Sequence, residues 1–372
     1  MGWISRTTLL AIFKRTVLIA SIPLIFLYII VPSLFYLTPT FTQHIFFLNF
    51  VKVPFIDYQN LTSHGVKSLA RHFFLQEKGA KILCNDQEPI LGVWHVLPIE
   101  LSKKFEGPIA SGDRAALKNE EFEKLLSAES HGVVVYFHGN SFDRTNSHRV
   151  DLYNRLSAMN FHVLSIDYRG YGDSSGSSSE DGLVEDAHFI YNYVREKAPN
   201  AKIWVWGHSM GTGVSAKFVA ELSDKGIAPY GTILESPFNN IYDAVKNHPF
   251  SKPWLFLGKW FDKIMIDRWV ESGLKMESDK SIQRFKCPVL ILHAADDHII
   301  PINLGKKLAE SAKKADIDVK FVEFEGNLGL RHKWIHRAPH FISIITEFFD
   351  YCEKQAEGKI THNKQKEVHI DH

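Results

Sequence analysis

The sequence VWGHSMG at residues 205–211 places Ser209 in a G-x-S-x-G pattern. An apolar run rich in β-formers precedes the pattern, and a helical pattern follows it. In that context a tight strand-to-helix turn holds a serine hydroxyl above a sheet, and glycines at 207 and 211 let neighbouring backbones approach closely. The pattern alone is weak, because small residues cluster in many loops. Its position between a strand and a helix predicts that Ser209 is a nucleophile.

The same strand-and-helix alternation extends on both sides of Ser209. Several of the apolar runs are almost continuously hydrophobic, which is typical of strands covered on both faces. Alternating strands and helices predict a mostly parallel sheet with right-handed crossovers, and the serine turn makes this an α/β-hydrolase fold. The predicted strands are 133–137, 162–166, 203–206, 231–234, 289–292 and 319–324, and the predicted helices include 149–159, 185–197 and 212–223.

His332 is the predicted base for this nucleophile. A serine hydroxyl attacks poorly at neutral pH unless a base lies beside it. In this fold the histidine comes after the serine and the acid in chain order, just past the last strand, where the sequence reads GLRHK at 329–333. The chain has 19 histidines, and His336 and His340 follow closely on a predicted helix, so they are the alternatives.

The loop after the predicted strand 289–292 contains two candidate acids, Asp296 and Asp297. Asp297 fits an arrangement of Asp, one residue, two apolar residues and Pro, whereas Asp296 is better suited to binding backbone donors of the loop. We therefore expect Asp297 to orient His332 and to stabilise the imidazolium without taking its proton, with Asp296 as the alternative.

Two backbone N–H groups are predicted to form an oxyanion hole. The fold takes one from the residue after the nucleophile, here Met210, and one from a loop after an early strand, here Asn140 in the sequence HGN at 138–140. The Met210 N–H also lies at a predicted helix N-terminus, where the helix dipole favours negative charge. His138 is expected to be a structural residue of this loop rather than a base.

Residues 16–37 carry no charge, and a bilayer core requires about 20 such residues, so a transmembrane anchor is predicted there. A cleaved signal peptide is the alternative. Arg6, Lys14 and Arg15 precede the span, so the positive-inside rule places residues 1–15 in the cytosol and the rest on the lumenal or extracellular side. The sequence NLT at 60–62 predicts glycosylation of Asn60 on that side.

The remaining length predicts one catalytic domain. The 372 residues divide into the N-terminus and anchor, a membrane-proximal segment (38–79), a hydrolase domain (80–352) and a polar tail (353–372). An aromatic-rich stretch at about 239–285 interrupts the alternation and is either a helical cap over the active site or an ordinary insertion. The 43 basic and 42 acidic residues give no reason to expect a nucleic-acid partner. Three scattered cysteines suit neither a disulfide framework nor a zinc site, and no cofactor is expected.

Several motifs resemble the membrane α/β-hydrolases called lysophosphatidylserine lipases, also described as monoacylglycerol lipases. The resemblance runs from roughly residue 50 to 352, includes the preceding anchor, and departs mainly at Asn140-Ser141-Phe142, where the family has a loop of small residues. It implies an integral endoplasmic-reticulum protein whose lumenal domain hydrolyses single-chain lipids. The motifs are HGN (138–140), DYRGYGDS (167–174), GHSMGTG (207–213), ESPF (235–238), LHA with DD (292–297) and LG with RHK (328–333).

These expectations describe an enzyme in which Ser209 attacks the ester of a lysolipid and forms an acyl-enzyme. Two alternatives remain open. One is a hydrolase of soluble ester, thioester or peptide substrates, and the other is a non-catalytic interaction protein with a hydrolase fold. An anchor favours the lipid, because it keeps the pocket near the surface from which the lipid must be extracted.

Overall fold

A computed structural model describes residues 5–39, 42, 46–76, 89–110, 117–128 and 131–368. Its described strands form an eight-stranded sheet in the order β1-β2-β4-β3-β5-β6-β7-β8. β2 is antiparallel to β1 and β4, and the pairs from β4 to β8 are parallel. The strands are β1 (Ala70–Gln76), β2 (Ile90–Val96), β3 (Val133–Phe137), β4 (His162–Ile166), β5 (Ile203–His208), β6 (Gly231–Glu235), β7 (Val289–Ala294) and β8 (Val319–Phe324).

All six predicted strands are confirmed; β3 to β7 are covered on both faces, whereas β8 exposes Lys320 and Glu323. Along β3, Val133, Val135 and Phe137 pack into one hydrophobic cluster, while Val134 and Tyr136 pack into another. Alternate residues of a strand point to opposite faces, so each face of the sheet carries its own core. Because β3, β5, β7 and β8 run in parallel, the loops that follow them meet at one edge of the sheet.

Helices cover the sheet, and the three predicted helices are confirmed with slightly different bounds. Ser147–Ala158, Glu180–Lys197 and Met210–Asp224 replace the predicted 149–159, 185–197 and 212–223. The α-helices are α1 (Arg6–Ile25), α2 (Val31–Leu37), α3 (Ile99–Ala110), α4 (Asn119–Ser127), α5 (Ser147–Ala158), α6 (Glu180–Lys197), α7 (Met210–Asp224), α8 (Ile241–Asn247), α9 (Lys259–Phe261), α10 (Asp267–Glu271), α11 (Ser278–Ser281), α12 (Ile302–Lys314) and α13 (Phe341–Val368).

The predicted start of the hydrolase domain at residue 80 is wrong. β1 pairs with β2 along all seven of its residues, so the sheet begins inside the segment predicted to be membrane-proximal. Its sequence, ARHFFLQ, lacks the continuous apolar run that marks the central strands. This strand also carries Arg71, whose side chain is buried. The positive charge of Arg71 is tolerated there because its guanidinium donates hydrogen bonds to Tyr193 Oη and to the side chain and carbonyl of Asn119.

The C-terminal region is also more ordered than a polar tail implies. The helix α13 begins inside the domain, where Phe341, Ile345 and Phe349 pack against the sheet, and continues as helix to Val368. Beyond Cys352 its described side chains are mostly exposed, which agrees with the polar composition of residues 353–372. The apolar face therefore anchors the first part of this helix against the sheet.

The N-terminal helix runs without interruption from Arg6 to Leu37, through α1, a π-helical turn (Phe26–Ile30) and α2. Its 32 residues include the predicted span 16–37 and are long and apolar enough to cross a membrane. Its side chains are largely exposed, as expected for a helix whose natural surroundings are lipid. It is the one such helix among the described residues and indicates single-pass membrane anchoring; a signal sequence passes the same test of length and composition.

The predicted insertion at 239–285 is helical and lies between β6 and β7. It contains α8 to α11 together with a long 3₁₀ segment (Pro249–Leu257), a π-helical turn (Asp262–Ile266) and a final 3₁₀ turn (Ile282–Arg284). Such short and irregular elements contrast with the regular helices that cover the sheet.

Candidate active site

Ser209 occupies a strained turn between β5 and α7. Its backbone has φ 53° and ψ −120°, a region that residues with a side chain rarely adopt. The Ser209 N–H donates to the Glu235 carbonyl at 3.0 Å, which ties the turn to β6. A Cβ at Gly211 would lie 2.1 Å from the Phe137 carbonyl oxygen, and one at Gly207 would lie 2.5 Å from that of Gly211. The turn therefore requires both glycines of the pattern.

The structure brings Ser209, His332 and Asp297 together in one hydrogen-bonded chain. His332 Nε2 lies 2.8 Å from Ser209 Oγ, and His332 Nδ1 lies 2.7 Å from Asp297 Oδ2. The alternative histidines lie elsewhere, since His336 is buried with its Nε2 3.6 Å from Asp151 Oδ2, and His340 is exposed. The geometry is that of a nucleophile, a base and an orienting acid.

Asp297 is held as an ionised carboxylate. Its other oxygen, Oδ1, accepts the N–H groups of Ile299 and Ile300, each at 2.9 Å, and its side chain is fully buried. Burial alone would raise the pKa of Asp297, but the charge of His332 and the contacts with His332 and His293 lower that pKa well below its usual range. A permanently charged carboxylate suits the role of fixing one tautomer of His332.

Asp296 binds the loop rather than the histidine. Its Oδ1 accepts the Arg331 N–H at 3.0 Å, and Arg331 has a positive φ of 52°. The carboxylate thus supports the turn that carries His332 without touching the imidazole ring. This arrangement agrees with the different roles expected for the two aspartates from the sequence.

Two further histidines support the site, and sequence reasoning missed both. His208 Nε2 donates to the His332 carbonyl at 2.8 Å, and burial, followed by the charge of His332, lowers the pKa of His208 well below its ordinary value, so it remains neutral. His293 Nε2 donates to the Ile300 carbonyl at 2.8 Å and lies 3.5 Å from Asp297 Oδ2. Their positions could have indicated this role, since His208 comes immediately before the nucleophile and His293 lies at the end of β7.

The predicted oxyanion residues, Asn140 and Met210, both border the cavity beside Ser209. The Asn140 side chain has a structural role, since its Oδ1 accepts the Leu48 N–H at 3.0 Å and its Nδ2 donates to the Phe46 carbonyl at 2.6 Å. These bonds join the loop to the segment that follows the N-terminal helix. They thereby fix the position of Asn140, whose backbone N–H is the predicted oxyanion donor.

The rest of this loop is fixed by buried side chains. Arg149 donates to the carbonyls of Gly139 and Ser141 at 3.2 and 2.7 Å, and also to that of Asp143. His138 is fully buried, its Nδ1 lies 2.8 Å from the Gly139 carbonyl, and burial lowers its pKa well below the ordinary value. His138 is therefore remote from proton transfer, in agreement with its predicted structural role.

A cavity of about 580 Å³ opens above Ser209. One end is polar and holds Ser209, His332, His148, Arg149 and Lys333. Apart from His248 and Ser251 of the insertion, the remainder is an apolar arm that takes side chains from three parts of the chain. They are Phe35, Phe46 and Leu48 from the N-terminal segment, Phe238, Ile241, Ala244, Val245, Phe250, Trp254, Phe261, Met265 and Trp269 from the insertion and the residues just before it, and Ile299 and Ile300.

The N-terminal helix is one wall of this cavity. Trp254 of the insertion donates its Nε1–H to the Leu27 carbonyl at 2.9 Å, and the Phe35 ring packs against Trp269 with centroids 5.3 Å apart. The free carbonyl arises because this turn is π-helical, so that each N–H bonds five residues back, as the Val31 N–H does to the Phe26 carbonyl, and Pro32 has no N–H to donate to Leu27. A larger depression of about 1020 Å³ beside β1 contains none of the predicted site residues.

Comparison with known proteins gives both a family and a fold. The profile of the family described as Serine aminopeptidase, S33 matches residues 128–281. The chain is 37% identical to the lysophosphatidylserine lipase ABHD12 of Danio rerio over 87% of this chain and 80% of that protein. It is 38% identical to the ABHD12 of Xenopus tropicalis over 88% and 81%, and 30% identical to protein ABHD12B of Homo sapiens over 81% and 78%.

Two solved structures share the architecture at low sequence identity. An alpha-beta hydrolase from Vibrio vulnificus aligns with TM-score 0.55 and 20% identity over 78% of this chain and 86% of its own. The Pyrococcus furiosus esterase Pf2001 aligns with TM-score 0.54 and 15% identity over 81% and 97%. The predicted α/β-hydrolase fold is confirmed.

Proposed function

Because this chain belongs to the lysophosphatidylserine lipase ABHD12 family and is a serine ester hydrolase, we propose that it cleaves the acyl ester of single-chain lipids and releases a fatty acid. The proposed substrates are lysophosphatidylserine, other lysophospholipids and monoacylglycerol. The observation that carries this proposal is the hydrogen-bonded chain of Ser209, His332 and Asp297 at the polar end of a cavity whose remaining lining is mainly apolar. A single acyl chain suits such an arm, because burying its methylene groups is favourable.

In the proposed acylation step, Ser209 Oγ attacks the ester carbonyl while His332 Nε2 accepts its proton. Asp297 keeps Nδ1 protonated and stabilises the imidazolium that forms. The negative charge that develops on the carbonyl oxygen is stabilised by the N–H groups of Asn140 and Met210. His332 then gives the proton to the departing oxygen of the head group, which leaves the fatty acyl group on Ser209.

In deacylation, a water molecule takes the place of the departed head group. His332 removes a proton from that water, the hydroxide attacks the acyl carbonyl, and the same N–H groups stabilise the second oxyanion. The proton returns to Ser209 Oγ as the fatty acid leaves. The strained backbone at Ser209 keeps Oγ in one place through both steps.

The insertion acts, in this proposal, as a cap that receives the acyl chain from the bilayer. Residues 16–37 span the membrane, and the contact between Trp254 and Leu27 fixes the cap to that span. Phe35 of this helix and Trp254 of the cap both line the cavity, so a lipid that leaves the bilayer along the helix would meet both side chains. The contact supports a retained anchor over a cleaved signal sequence, because cleavage would remove part of the cavity wall.

The proposed location is the endoplasmic-reticulum membrane, with residues 1–15 cytosolic and the catalytic domain lumenal. Three basic residues before the span and an uncharged stretch after it support this orientation. Asn60, the proposed glycosylation site, is exposed at the start of a 3₁₀ turn, and its side-chain oxygen accepts the Ser63 N–H. The proposed domain boundaries are those predicted from the sequence, except that the hydrolase domain starts at β1 rather than at residue 80.

The test is release of fatty acid by membranes that contain the wild-type chain, Ser209→Ala or the matched control Ser177→Ala, which changes an exposed loop serine. The substrates are lysophosphatidylserine, monoacylglycerol and a soluble short-chain ester. We expect the wild type and Ser177→Ala to prefer the lipids and to react with a fluorophosphonate, and Ser209→Ala to do neither.

Each contrary outcome has a definite meaning. Activity confined to the soluble ester would contradict the lipid substrate while leaving the catalytic serine intact. Failure of the wild type to react with the fluorophosphonate would favour a non-catalytic hydrolase-fold protein. Activity retained by Ser209→Ala would overturn the assignment of the nucleophile.

A further inference from the structure

Lys333 lies at the polar end of the cavity, immediately after His332. Its backbone is held on both sides, because the Trp334 N–H donates to the Leu330 carbonyl at 3.0 Å and the His332 carbonyl accepts the His208 Nε2–H. The side chain is half-buried. Lys333 is therefore a cation carried on a fixed turn, one residue from the base.

No carboxylate of the described residues forms an ion pair with Lys333. Arg149, which lines the same cavity, also has no carboxylate partner among the described residues; its guanidinium donates to backbone carbonyls instead. Burial lowers the pKa of Lys333, and the charge of Arg149 lowers it further. Within the described ranges, neither of these two cations at the cavity has a carboxylate partner, although a buried or half-buried charge usually requires one.

Other lysines near the insertion are paired. Lys246 lies 3.0 Å from Asp262 Oδ2, and Lys307 lies 2.6 Å from Asp243 Oδ2. Both of these acids belong to the insertion, which nevertheless provides no acid for Lys333. The surplus of positive charge is therefore local to the polar end of the cavity.

We infer that Lys333 binds the negatively charged head group of a single-chain lipid. This inference rests on the proposed function. With the ester carbonyl at Ser209 and the acyl chain in the apolar arm, the head group must lie on the other side of the ester, at the polar end. An ammonium that is shielded from bulk water makes a stronger bond to a phosphate or carboxylate oxygen than an exposed one does. Arg149 adds to the positive field while it holds the oxyanion loop.

The experiment measures the ratio of kcat/KM for lysophosphatidylserine to kcat/KM for uncharged monoacylglycerol. Lys333→Met removes the charge and keeps most of the stem, Lys333→Arg keeps a charge, and Lys225→Met changes an exposed lysine at the end of α7. Rates are normalised to the fraction of enzyme that reacts with a fluorophosphonate, so misfolded protein does not enter the ratio. Lysophosphatidylcholine provides a third arm, because it has a phosphate but no carboxylate.

We expect Lys333→Met to lower the ratio by about tenfold to a hundredfold, the range for losing one charge-assisted hydrogen bond. Lys333→Arg should recover most of the ratio, and Lys225→Met should keep the wild-type value. A parallel loss on lysophosphatidylcholine would identify phosphate as the bound group, and no such loss would identify the carboxylate. An unchanged ratio in Lys333→Met would overturn the inference, whereas an inactive wild type would instead overturn the proposed function.

Discussion

The polar end of the cavity and its apolar arm are built by different parts of the molecule. Ser209 and Asp297 follow the central strands β5 and β7, whose residues are completely buried. The arm is formed by short helices, 3₁₀ segments and the N-terminal helix, and its neighbours Phe256 and Trp260 are 71% and 64% exposed. In the proposed mechanism, the reaction thus depends on a cooperative core, and the choice of substrate depends on elements beside the membrane.

This difference separates two kinds of mutation. A change at the sheet should affect every substrate alike, because each ester meets the same nucleophile and the same oxyanion donors. A change in the arm should affect substrates in proportion to the length of their acyl chains. Three predictions test that separation, beginning with the largest effect.

Asp297→Asn should lower kcat by about 10⁴ on lipid and soluble esters alike, as the corresponding change does in a serine protease, because an amide favours the wrong tautomer of His332. The matched control is Asp296→Asn. The Asp296 carboxylate accepts the Arg331 N–H and makes no contact with His332, so this substitution should lower kcat by only a few-fold. Kinetics on monoacylglycerol and on a short-chain ester measure both. A larger loss for Asp296→Asn would show that the acid has been misassigned.

The sequence was sufficient to predict which of these side chains the structure brings together, because the signals are local. The spacing around Ser209, the order of serine, acid and histidine, and the contrast between Asp296 and Asp297 each lie within a few residues. The central strands were predictable for the same reason, since complete burial gives a continuous apolar run.

The features that sequence reasoning missed depend on contacts between distant residues. β1 was missed because Arg71 is satisfied only by Asn119 and Tyr193, 48 and 122 residues away. The role of the anchor as a cavity wall depends on Trp254 and Leu27, which are 227 residues apart. No periodicity or spacing in the chain encodes such a pair, so only the folded structure reveals it.

The second prediction concerns the stability of the sheet. Glu235 is buried beside Ser209, its Oε2 accepts the Trp206 Nε1–H at 2.9 Å, and burial raises its pKa to about 7. Its ordinary pKa is about 4.3, so the folded state binds the proton more tightly than the unfolded state. Protonated Glu235 therefore contributes to the free energy of unfolding. That contribution is complete below the pKa of the unfolded chain and is lost as the pH rises through about 7.

Glu235→Gln keeps an oxygen for Trp206 and has no charge to bury. Relative to wild type, the variant should therefore gain stability between pH 4.5 and pH 8, by on the order of 3 kcal/mol. Thermal unfolding of the detergent-solubilised chain at both pH values measures the difference, and the exposed Glu325→Gln provides the control. A gain that does not depend on pH would mean that Glu235 is ionised in the folded state throughout this range, as it is in the unfolded chain.

Phe35→Ala should produce the smallest of the three effects and the most selective one. The Phe35 ring borders the cavity and packs against Trp269, so its loss removes one apolar surface from the arm and leaves the strands untouched. We expect kcat/KM for a long-chain monoacylglycerol to fall by about tenfold, because losing roughly 1.4 kcal/mol of apolar contact lowers binding by that factor. The rate on a short-chain ester should change little. Leu24→Ala, an exposed residue of the same helix, controls for altered membrane insertion. Equal losses on long and short chains would mean that the N-terminal helix supports the sheet rather than the acyl chain, and the separation between the two parts of the cavity would fail.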